Sequence, residues 1–73
     1  MNSKEKLLFL EEIMDLDEGI LNEDYLLSDI EEWDSLSALS FIVEMKKRFG
    51  INVETKQIKS FKTVSDICQM IPD

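Results

Sequence analysis

Asp34-Ser35-Leu36-Ser37-Ala38-Leu39-Ser40-Phe41-Ile42-Val43-Glu44-Met45-Lys46-Lys47-Arg48-Phe49-Gly50 is the stretch that decides the fold. It reads as a helix from Ser35 to Phe49. Aspartate is favoured at a helix N-cap, where its carboxylate accepts an otherwise free backbone N–H, and Asp34 holds that place. Gly50 follows the last turn, where a left-handed backbone closes helices. Lys46, Lys47 and Arg48 complement the negative end of the helix dipole. With Leu36 placed at 0°, Ala38, Phe41, Ile42, Met45 and Phe49 fall between about 140° and 240°, one core-facing stripe. Leu39 and Val43 lie within about 60° of Leu36, on the opposite side. A small bundle buries only one of these faces completely, so the sequence predicts an apolar strip left at the surface.

Outward from this helix, the chain supplies two more. Asn2 and Glu5 have the spacing of a capping box, which predicts a first helix over about Lys4 to Met14. Leu7, Phe9, Leu10, Ile13 and Met14 share its broad apolar face. Thr63 and Asp66 repeat the capping-box spacing, and Val64, Ile67, Cys68 and Ile71 share one face of a last helix ended by Pro72. Ile51 and Val53 form an extended link, with a brief helical turn over Lys56 to Lys59. Between the first two helices, Asp15 to Asp34 has no clean period. A connector of this length is expected to pack, and Leu16, Ile20, Leu21, Tyr25, Leu26, Leu27, Ile30 and Trp33 equip it to do so. The expected fold class is all-α: a small antiparallel bundle of three main helices and one short helix. Phe49 is the expected keystone of its core.

Seventy-three residues suit one domain spanning 1–73. The net charge of −8 opposes binding to nucleic-acid phosphates. Residues 1–35 hold twelve acids against Lys4 and Lys6, a net of −10, whereas residues 36–73 hold four acids against six bases, a net of +2. Such a dipolar particle steers toward basic partner surfaces. The longest apolar run, Leu7 to Leu10, is far below the roughly 20 residues that span a bilayer, and a single cysteine suits a reducing cytoplasm. The absence of histidine removes Ser-His and Cys-His catalysis, and no metal ligand set is expected. Asp15-Leu16-Asp17-Glu18-Gly19 fails as a calcium loop, because Ile20 and Leu26 occupy the positions that need glycine and glutamate. These features point to a non-catalytic protein, monomeric and cytoplasmic.

The informative residue is Ser35. Serine at a helix start is often only a cap, but Asp34 already fills that role and leaves the hydroxyl spare. The strip of Leu36, Leu39 and Val43 lies beside it, and the acidic connector delivers the chain to this point. Asp34-Ser35-Leu36 opening a long helix, Phe49-Gly50-Ile51 closing it and Lys62-Thr63-Val64 opening the last helix together resemble an acyl carrier protein over nearly the whole chain. The resemblance implies that Ser35 is the attachment point for 4′-phosphopantetheine, donated from coenzyme A by a phosphopantetheinyl transferase, with Asp34 and Leu36 flanking it. Cargo would ride as a thioester on the distal thiol. The expected partner surface comprises Leu36, Leu39, Ser40 and Val43, with Glu31, Glu32 and Lys47 at its charged edges. Acyl ligase, acyltransferase or ketosynthase-type enzymes of fatty-acid or polyketide biosynthesis are the implied partners.

The chain departs from the housekeeping pattern in one respect. Glu44 is the only acid of the Ser35–Phe49 helix, where Ser37 and Ser40 are expected to be exposed, and the negative charge has moved into the connector. This departure suggests a dedicated acyl pathway. An aminoacyl or D-alanyl carrier with the same arm, and an acidic adaptor without a prosthetic group, are the alternatives. Cys68 reads as a small core residue. Trp33 reads as an anchor for the connector rather than as a lining for the arm.

Overall fold

Asn2 opens α1 (Ser3–Met14) with a complete capping box: its side chain accepts the Glu5 N–H at 2.9 Å, and the Glu5 carboxylate accepts the Asn2 N–H at 3.2 Å. The computed structural model describes residues 1–73. A 3₁₀ turn (Leu27–Asp29) lies in the connector, followed by α2 (Ser35–Phe49), α3 (Thr55–Ser60) and α4 (Val64–Cys68). The protein is all-helical and folds as an acyl-carrier-like bundle, with α2 running between the boundaries its caps predict. Gly50 closes α2 at φ 67°, the left-handed geometry for which glycine is suited.

Two corrections concern the helices. The fourth helix ends at Cys68 rather than at Pro72. Gln69 still donates to the Ser65 carbonyl, but Met70 and Ile71 bond back only three residues, so the chain tightens before the proline. α1 and α2 are therefore the two long helices, and α3 and α4 are both short.

The core is centred on Phe41. It is fully buried with Leu10, Met45, Val64 and Ile67, so α1, α2 and α4 all contribute. The Phe41 ring meets Phe9 at 6.4 Å, Trp33 at 6.3 Å and Phe61 at 6.4 Å between centroids, the last two edge-on. Phe49, expected as keystone, is only half-buried and packs edge-on against Phe9 at 6.2 Å. It occupies the last turn of α2, where the bundle opens to solvent.

The connector packs less completely than its composition suggests. Leu21 and Leu27 join the core, and Leu16, Ile30 and Trp33 lean on it, while Ile20, Tyr25 and Leu26 stay about half open to solvent. Glu11 holds it in place. Its buried carboxylate on α1 accepts the Leu21 N–H at 2.8 Å.

The caps carry a pH signature. Hydrogen bonds from the Ser37 N–H hold the Asp34 carboxyl below its ordinary pKa, and those from the Lys62 and Thr63 N–H groups do the same for Asp66. A carboxyl depressed in the folded state stabilises the fold above its unfolded pKa and loses that contribution as pH falls through the lower value. The melting temperature is therefore expected to fall once the pH drops below about 4. Thermal melts followed by circular dichroism check this; a flat profile down to about pH 2 would show that the caps do not depend on charge.

Candidate functional site

Ser35 is the first residue of α2 and is exposed. The local chain explains why. Asp34 adopts extended backbone and accepts the Ser37 N–H at 3.0 Å, so it takes the capping role and the serine hydroxyl is left out of it. At this end of α2 the unpaired first-turn N–H groups and the helix dipole place positive potential beside the hydroxyl.

Ser37, expected to be exposed, is instead buried, and its hydroxyl donates to the Glu32 carbonyl. Two residues beyond Ser35, the helix has turned this side chain back onto the connector. The bond ties the approach to α2 against its first turn. Trp33 adds a second tie, half-buried with its ring edge-on to Phe41. The two serines thus differ sharply: Ser35 is available and Ser37 is engaged.

A groove of about 580 Å³ opens at Ser35. Trp33, Ala38, Leu39 and Ile42 line one side, and Thr55, Ile58 and Lys59 of α3, with Phe61 just beyond it, line the other. Trp33 therefore both anchors the connector and lines the groove. The α3 wall was not anticipated beyond a brief turn over Lys56 to Lys59. A signal for it lay in Glu54 and Gln57, whose spacing is that of a capping pair; the Glu54 N–H donates to the Gln57 carboxamide oxygen at 2.8 Å.

The expected partner strip is at the surface. Leu36 is 72% exposed, Leu39 57% and Val43 54%. Lys47 is exposed one turn beyond Val43, and Glu31 and Glu32 are exposed ahead of Asp34. Ser40 does not join the strip fully. It is half-buried and lines a cleft toward α1 with Phe9, Ile13 and Glu44. Arg48 also has an interaction of its own: it bonds Glu44 at 3.0 Å and lies 5.0 Å from the centre of the Phe9 ring. Cys68 is buried, and burial raises its thiol pKa, which keeps it as an inert thiol.

Comparison with known proteins adds a family to this geometry. Residues 9–71 match the family described as "Phosphopantetheine attachment site". The acyl carrier protein of Onion yellows phytoplasma (strain OY-M) is 47% identical over 34 residues, a stretch that is 47% of this chain and 45% of that protein. The match thus spans just under half of each. No solved structure matches the chain. No helix is long and apolar enough to cross a membrane.

Proposed function

The chain belongs to the phosphopantetheine-attachment family of acyl carrier proteins, and from that premise we propose that Ser35 bears the covalent 4′-phosphopantetheine arm and that the chain carries acyl groups on it. Membership implies the arm; the position rests on one observation. Ser35 is the exposed hydroxyl at the start of a long helix, relieved of capping by Asp34, with an apolar groove opening beside it.

The residues fit the group. The N-terminal end of α2 favours the negative charge of a phosphodiester through its free N–H groups and dipole. Asp34 keeps its own charge directed at the Ser37 N–H. The apolar walls supplied by Trp33, Leu39, Ile42 and Ile58 suit an acyl chain better than a charged aminoacyl group. When bound, the arm supplies a thiol for thioester formation and a flexible reach, which raises the local concentration of cargo at an enzyme.

On this reading, residues 1–73 act as one carrier domain and perform no catalysis of their own. Deprotonation of the serine falls to a phosphopantetheinyl transferase. Leu36, Leu39 and Val43 form the apolar ridge that partner enzymes cover, flanked by Glu31, Glu32 and Lys47. The scarcity of acids on α2 supports a dedicated acyl pathway with its own partner enzymes over general fatty-acid synthesis.

Incubation with coenzyme A and a promiscuous phosphopantetheinyl transferase, followed by intact-mass measurement, tests the proposal. The expected result is the gain of one phosphopantetheinyl group. An unchanged mass would leave an acidic adaptor as the better account.

A further inference from the structure

A second apolar groove, of about 640 Å³, shares no lining residue with the groove at Ser35. Ile20, Tyr25 and Leu26 line it, and they are 47%, 47% and 49% exposed. They are the large apolar side chains that stay open to solvent outside the α2 strip. Asp24, Asp29 and Glu32 line the same groove, and the connector from Asp15 to Asp34 contains no lysine or arginine.

This exposure is not slack. The Leu27 N–H donates to the Lys62 carbonyl at 2.9 Å, the Val64 N–H to Tyr25 at 3.0 Å and the Ser65 N–H to Glu23 at 2.9 Å. At the other end, the Glu11 carboxylate holds the Leu21 N–H. The stretch from Leu21 to Leu27 is fastened to α1 and to the start of α4, and it presents Tyr25 and Leu26 outward on a fixed backbone. An occupant would meet a surface that needs little ordering, which lowers the entropic cost of binding.

We propose that this groove is a docking site for a basic amphipathic helix of a partner protein, centred on Ile20, Tyr25 and Leu26 and meeting the surface around Ser35 only at Glu32. The charge selects the occupant. An apolar groove rimmed by carboxylates without a cation complements a helix bearing aliphatic anchors with lysine or arginine beside them. A second copy of this chain carries a net charge of −8 and is repelled as a whole. A protein bound here leaves Ser35 uncovered, so the carrier stays attached to one partner while its cargo meets others. That use rests on Ser35 bearing the arm; the docking itself does not.

The test is a titration of the isotope-labelled full chain with a synthetic leucine-lysine amphipathic peptide of about fourteen residues, followed by nuclear magnetic resonance. Amide shifts are expected at Ile20, Tyr25, Leu26 and Ile30, weakening as salt is raised, with no response to a leucine-glutamate peptide of the same pattern. Replacing Ile20→Ser and Leu26→Ser together, at positions already half exposed, should weaken binding by about tenfold or more with the melting temperature little changed. Shifts centred on Leu36, Leu39 and Val43, or an affinity unmoved by the double substitution, would overturn the proposal. So would concentration-dependent shifts at the groove without peptide, which would mark a second copy as its occupant. The mass gain with coenzyme A is read separately: its loss with docking intact removes the arm, and the converse removes only the groove.

Discussion

Replacing Ser35 by alanine is expected to abolish the coenzyme A-dependent mass gain while leaving the fold intact. The side chain is exposed, and alanine is the residue most favourable within a helix, so the melting temperature should stay within about 2 °C of the parent. Ser37→Ala provides the opposite result. It removes the bond from a buried hydroxyl to the Glu32 carbonyl and should cost about 1 kcal/mol, yet the chain should still be loaded. The pair separates chemistry from packing at two serines only two positions apart. Loading that survives Ser35→Ala and disappears in Ser37→Ala would place the arm on the wrong residue in the present reading. Intact mass and thermal melting on the same samples decide between them.

The part of this site legible in the sequence is the part governed by local rules. Asn2 with Glu5, Asp34 with Gly50 and Thr63 with Asp66 satisfy backbone groups within a few residues, so their spacing alone marks where helices begin or end. The bare strip of Leu36, Leu39 and Val43 follows as simply, because one helix cannot bury two opposite faces in so small a bundle. What the sequence did not disclose depends on how the connector docks. Glu11 lies four residues from Leu7 on the inner face of α1, a position that would normally expel a carboxylate. It is retained there because the Leu21 N–H, ten residues away, arrives as its partner. Ser37 is buried for the same kind of reason: a carbonyl of the preceding loop reaches it. The second wall of the groove at Ser35 comes from α3, whose shortness makes its apolar period too brief to read. Ile20, Tyr25 and Leu26 stayed hidden for the opposite reason. Their composition called for burial, and the fold left them out.

Phe41→Ala is expected to unfold about half of the population at ambient temperature. The ring is fully buried and touches three other aromatic rings, from α1, the connector and the segment after α3, so its removal opens a void that no single neighbour can fill. Such a truncation costs about 3–5 kcal/mol. A core of this size supplies a net stability of only roughly 3–5 kcal/mol, and eight surplus negative charges work against compaction. The two magnitudes are equal, so the folded state loses its margin. Phe41→Leu keeps an apolar group in the space and should cost about 1 kcal/mol, which leaves a folded protein whose melting temperature can be measured. Phe49→Ala, at a half-buried position with one ring contact, should fall between these two. Far-ultraviolet circular dichroism during urea titration ranks the three. If Phe49→Ala proved the most damaging, the centre of the core would lie at the far end of α2, away from Ser35. The order expected here instead places it beneath the middle of that helix, where the Phe41 ring also meets Trp33, so the bundle and the segment leading to Ser35 depend on the same ring.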